Sequence, residues 1–182
     1  MASKLWNFIQ FQIGWFALVL FAAQGKSEFG MLLVAVLIAA HLRWFNRPGE
    51  WLLLLLLGSL GWLWESLFYV AGFIEYPGHA ENTLFAPLWM AVFWVNFAAV
   101  LNHSLDWLKP HYFAAAVLGA FGGPLAFLGG EALGAAFLPD KLLACLVLGI
   151  AWAILMPATM LLANRLNLRF TNITANRVNG AA

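Results

Sequence analysis

The sequence predicts an all-α polytopic membrane protein, a bundle of six transmembrane helices with no soluble domain. Three observations predict it. Of 182 residues, 64% are hydrophobic and only 9% are charged, where soluble domains run near half apolar and about a quarter charged. The mean hydropathy is +0.85. Apolar runs bounded by charge, Pro or Gly recur at close to the roughly 20 residues that a helix needs to cross a ~30 Å hydrocarbon core. This composition excludes an ordinary soluble enzyme.

The first span, 5–23, follows Lys4 and mimics a signal peptide, with Phe21-Ala22-Ala23-Gln24 as the cleavage-like site. Asn7, Gln10 and Gln12 interrupt its apolar run, so it reads as a retained span. Lys26 and Glu28 separate it from the second, 29–45, and Arg43, Arg47, Pro48 and Glu50 separate that from the third, 51–74. The segment from Glu75 to Thr83 is the longest internal loop and is acidic. Beyond it come the fourth span, 84–105, the fifth, 112–137, and the sixth, 141–163. The single Cys145 lies inside the sixth and reads as a small buried hydrophobe. Residues 1–163 thus form the membrane domain, and 164–182 read as a polar, frayed cytoplasmic tail.

An even number of spans puts both termini on one side. Lys4, Arg43, Arg47, Lys109, Arg165, Arg169 and Arg177 share that side, against Lys26 and Lys141 on the other. Seven cations against two predict cytoplasmic termini. Trp6, Trp44, Trp51 and Trp107 then fall at the cytoplasmic interface, where an amphipathic indole is favoured. A net charge of +1 with no basic cluster excludes nucleic acid as a partner. An inverted repeat of the kind that builds secondary transporters is not discernible.

Polar residues inside the spans are the candidates for function, because a charged side chain in lipid is costly and turns toward a bundle interior or cavity. Glu65 shares a helix face with Gly58, Gly61 and Gly72, so it is expected to face another helix or a bound chain as a neutral acid. Asn96 and Glu131 are its candidate partners. Around Glu131 the fifth span has Gly119, Gly122, Gly123, Pro124, Gly129, Gly130 and Gly134, which predicts a kinked, tightly packed helix. In the fourth span Trp89, Asn96 and His103 are spaced by sevens and share a face. Asp106, three residues beyond His103, is expected to orient its imidazole. With His41, Asn7 and Gln10 at the same end, a polar inner vestibule is expected. Glu65, His103 and Asp106 are therefore the catalytic candidates, and Glu65, Glu131, Asn96, Trp89, Asn7, Gln10 and His41 the ligand-binding ones. The histidines lack His-x-x-x-His or Glu-x-x-His spacing, so neither a metal nor another cofactor is expected. Phosphate loops, nucleophile elbows and histidine boxes are missing too.

Several of these residues carry a resemblance. Pro87-Leu88-Trp89, Trp94-x-x-Phe97, Leu101-x-His103-Ser104-Leu105-x-Trp107-Leu108, Leu118-Gly119-Ala120-x-Gly122-Gly123-Pro124-Leu125-Ala126 and Gly130-x-x-x-Gly134 resemble a bacterial membrane family. It is the domain-of-unknown-function family numbered twenty-eight seventy-eight. Asn7-x-x-x-Phe11-Gln12-x-x-Trp15 and His41-Leu42 fit the same pattern, with Glu65 where relatives are expected to hold an aspartate. The resemblance implies a small bacterial inner-membrane protein whose relatives sit beside genes for fatty-acid modification and redox stress, and transfers no catalytic residue. Three functions follow as expectations. One is a protein of membrane-lipid metabolism that binds a lipid or isoprenoid-like ligand. The others are a small proton-coupled transporter using Glu65 and Glu131, and a structural subunit whose Gly-rich faces meet a membrane-protein partner.

Overall fold

The computed structural model describes residues 2–80 and 83–179. Among the described residues are six α-helices: α1 (Ala2–Ala23), α2 (Ser27–Trp44), α3 (Glu50–Val70), α4 (Leu88–Leu101), α5 (Tyr112–Ala132) and α6 (Lys141–Asn179). Five of them, all but α4, are long and apolar enough to cross a membrane. Their outward faces carry large apolar side chains such as Leu32, Leu55, Leu67, Phe113, Phe121 and Ile154, all more than half exposed. Trp6, Trp44, Trp51 and Trp107 are also more than half exposed, near the start or end of an element, as an interfacial belt requires.

The fourth element departs from its expected span of 84–105. Pro87 stands immediately before its first turn, where a fixed φ and a missing N–H do no harm, and the helix ends at Leu101. Fourteen residues reach about 21 Å at ~1.5 Å each, short of a ~30 Å core. This helix survives because it is the centre of the bundle, packed against α1, α2, α3 and α6, with both faces buried. Non-helical backbone near its ends must then find partners within the protein. At the N-terminal end Ala86 N–H donates to Ser66 Oγ (2.9 Å), and Trp62 Nε1–H donates to the Ala86 carbonyl (2.8 Å). At the C-terminal end the Asn7 amide donates to the Ala99 carbonyl (3.0 Å) and accepts Ser104 N–H (3.2 Å).

One layer ties four helices together. Gly61 of α3 lies against Trp94 of α4, where an added Cβ would fall 2.0 Å from the indole. Trp94 stacks on Trp152 of α6, with centroids 5.2 Å apart and planes 6° from parallel. Trp152 in turn sits on Gly119 and Gly123 of α5, where a Cβ would fall 2.2 Å from its carbonyl and 2.4 Å from its ring. Small residues thus let backbones approach broad indole faces, the tight packing expected of the glycine-rich fifth helix. The helix α5 is continuous through Pro124. Gly72, placed with Gly58 and Gly61 by spacing, instead lies beyond α3 in the left-handed region (φ 72°), exposed and terminating the helix.

The polar segment after Asn164 does not fray at its start: α6 runs on to Asn179, Leu166 is buried, and Phe170 packs at Gly49. The Arg177 side chain, and Glu81 and Asn82 of the acidic loop, lie outside the described residues. The rest of that loop is pinned to the α5–α6 connection by a two-residue bridge, in which Glu75 and Phe137 exchange backbone hydrogen bonds of 2.8 Å. The pinning carries Ile74 and Tyr76 into the core.

Candidate functional site

Three places bring the polar residues and cavities together. The first is built on the α2–α3 connection. Arg47, Pro48 and Gly49 make a turn, with Gly49 in the left-handed region (φ 78°). The Glu50 carboxylate folds back so that Oε2 accepts Arg47 N–H at 2.7 Å. Its other oxygen, Oε1, meets His103 Nε2 at 2.8 Å and His41 Nε2 at 3.2 Å. His41 comes from the last turn of α2 and His103 from just past α4, so three chain segments converge on one carboxylate oxygen. The imidazoles stand perpendicular, 4.8 Å between centroids. His41 and Glu50 are wholly buried, and His103 is 8% exposed. Asn7 lies beside them, its Nδ2 3.5 Å from His41 Nδ1. One ligand atom from each of His41, Glu50 and His103 falls within 4.8 Å of the others.

This cluster corrects the expected pairing of His103 with Asp106. The three-residue spacing presumes a helix, but α4 has ended, and Asp106 opens a short 3-10 turn. Its carboxylate instead accepts from Lys109 Nζ at 2.7 Å and lies 3.7 Å from Arg47 Nη1. Glu50, read from sequence as a charged boundary, takes the role assigned to Asp106. Its signal was a carboxylate directly after Pro-Gly at a helix start, at the same end of the bundle as two histidines. The inner vestibule is closed as well. Asn7, Gln10, His41 and His103 are all buried, and Gln10 donates to the Leu37 carbonyl at 2.7 Å, joining α1 to α2.

The second place surrounds Glu65, wholly buried as its Gly58 and Gly61 face predicts. Its carboxyl interacts with the Trp94 indole and the Tyr76 phenol, although neither carboxyl oxygen, nor the Tyr76 hydroxyl, nor Trp94 Nε1 meets hydrogen-bond geometry. Burial, reinforced by the facing carboxyl, holds the Tyr76 phenol well above its ordinary range, so it remains an O–H donor. Tyr76 was not legible in sequence, because only the Glu75–Phe137 bridge turns that loop inward. Asn96 is not a partner of Glu65. It faces α1, donates to the Phe11 carbonyl at 3.0 Å and fills the space over Gly14. Glu131 is no partner either: it pairs with Lys141 Nζ at 2.7 Å and accepts Leu138 N–H at 3.3 Å. It lines an open cup of about 820 Å³ with Glu75, Tyr76 and Phe137, a cup that Glu65 does not reach. Trp89 packs edge-on against Tyr76 at 5.6 Å.

The third place is an apolar groove of about 410 Å³ between α1 and α5. Its floor is Phe93 and Phe97 of α4 with Trp152 and Met156 of α6, and its walls include Phe11 and Trp15 on one side and Gly119, Gly122 and Phe127 on the other. Gln12 is the polar side chain at its edge. A Cβ added at Gly122 meets nothing within 4 Å.

The comparisons with known proteins agree with the pattern carried by spans four and five. Residues 4–158 match the family described as "Protein of unknown function (DUF2878)", and the chain belongs to that family. No curated protein and no solved structure matches the chain.

Proposed function

We propose that this member of the family holds the apolar chain of a membrane lipid or isoprenoid-like molecule in the α1–α5 groove, within a bacterial inner membrane and with both termini cytoplasmic. The observation that carries the reading is a 410 Å³ groove walled by Phe11, Trp15, Phe93, Phe97, Phe127 and Trp152, beside a layer packed down to indole-on-glycine contacts. That volume and lining are those of small-molecule sites, mostly apolar with few polar groups. Rigid aromatic faces and a glycine gap suit a flexible hydrocarbon chain, which gains dispersion contacts along its length.

Native mass spectrometry of protein purified in mild detergent tests the reading. Wild-type chains should retain a bound lipid that survives detergent exchange, whereas Gly122→Leu, which fills open space, should fold normally and lose it. Equal retention by both proteins, or none by either, overturns the proposal. The orientation rests on the seven-to-two distribution of Lys and Arg. A periplasm-active reporter fused after Asn179 should be silent, and strong activity there would reverse the topology.

A further inference from the structure

The buried cluster at the α2–α3 connection is independent of the groove, and we infer that His41, Glu50 and His103 form a binding site for one divalent transition-metal ion of the zinc class. The donor set is two imidazoles and one carboxylate, a combination that holds zinc with a coordination position left open. Ligand bonds of ~2.0–2.2 Å in tetrahedral geometry place donor atoms about 3.4 Å from one another. The observed separations of 2.8 and 3.2 Å from Glu50 Oε1, with all three donors within 4.8 Å, need only small side-chain adjustments to match.

Two further observations point to a ligand. His41 Nε2 is fully buried and, although 3.2 Å from Glu50 Oε1, is not aligned to hydrogen-bond with it or with any other atom. A buried imidazole nitrogen whose one partner is poorly aligned is costly, and a metal would satisfy it. The Glu50 carboxylate also has no Lys or Arg side chain among its partners in the described residues: Arg47 serves it only through its backbone N–H, and its guanidinium lies toward Asp106. Lys109 is bound to Asp106 and Asn102. A divalent cation would neutralise the Glu50 carboxylate without either imidazole having to carry a proton. His103, at 8% exposed the least buried of the three, marks the entry side.

Ligation through Nε2 places the His41 proton on Nδ1, facing an Asn7 amide nitrogen that already donates to Ala99. That contact has to lengthen when an ion binds.

The test is zinc titration of untagged, full-length protein in detergent micelles, read by bound metal per chain and by the visible absorption of the cobalt(II)-substituted form. One equivalent of zinc should bind to the wild type. Glu50→Gln and His103→Asn should weaken it by more than the ~10–100-fold that loss of an outer-sphere group costs. The double variant His79→Ala/His111→Ala, which removes the other two histidines, should bind as the wild type does. Circular dichroism and gel filtration identify variants that fail to fold; should both ligand variants fail, the zinc stoichiometry and the cobalt spectrum of the wild type decide. Substoichiometric binding by folded wild type overturns the inference, as does unchanged affinity in a folded Glu50→Gln or His103→Asn variant.

Discussion

Glu50 and Glu65 lie on the same helix, fifteen positions apart or about 22 Å at ~1.5 Å per residue, and both side chains are wholly buried. Their surroundings are opposite. Glu50 is at the first turn of α3, where a chain reversal brings a free backbone N–H and two histidines from neighbouring segments to its oxygens. Glu65 lies within the helix, five residues before its last, and an indole and a phenol face it. Burial alone therefore does not say what a membrane glutamate does. A chain end can surround a carboxylate with donors, whereas a helix interior must borrow them from side chains.

The largest effect should come from breaking the better-bonded site. Glu50→Leu removes the acceptor for Arg47 N–H and His103 Nε2 and the carboxylate facing His41, and should lower stability by about 3–5 kcal/mol, measured by denaturant titration in micelles. A smaller loss, under about 1 kcal/mol, would show that the histidines find other partners.

The packing beside Glu65 comes next. Gly61→Ala forces a methyl group into the Trp94 ring and should cost about 1–3 kcal/mol. Near-wild-type stability would mean that the Trp94–Trp152 stack can slide and that the layer is looser than its geometry.

Smallest should be the effect of Glu65→Leu. It removes a buried polar group whose oxygens have no well-formed hydrogen bond, so stability should stay within about 1 kcal/mol of wild type or rise. A loss as large as that for Glu50→Leu would erase the contrast and show that Tyr76 and Trp94 bond Glu65 firmly in the membrane.

Sequence by itself determined the membrane class, the number of helices and the face on which Glu65 lies, because hydropathy and a 3.6-residue period are local properties that need no knowledge of neighbours. It also grouped Asn7, Gln10, His41 and His103 at one end of the bundle, though as an open vestibule rather than a buried cluster, and set Asn96 apart within the fourth span, since lipid tolerates few polar side chains. What each of them bonds to was decided by tertiary structure. The place where α4 stops separates His103 from Asp106, and no pattern within 84–105 marks Leu101 as its last residue. Asn7 and Ser66 serve backbone groups beyond that short helix's ends, a need that exists only once α4 is central and shorter than the membrane is thick. Glu50 becomes the centre of a site only because the α2–α3 turn and the end of α4 meet, bringing together residues 41, 50 and 103, whose contact no sequence spacing encodes.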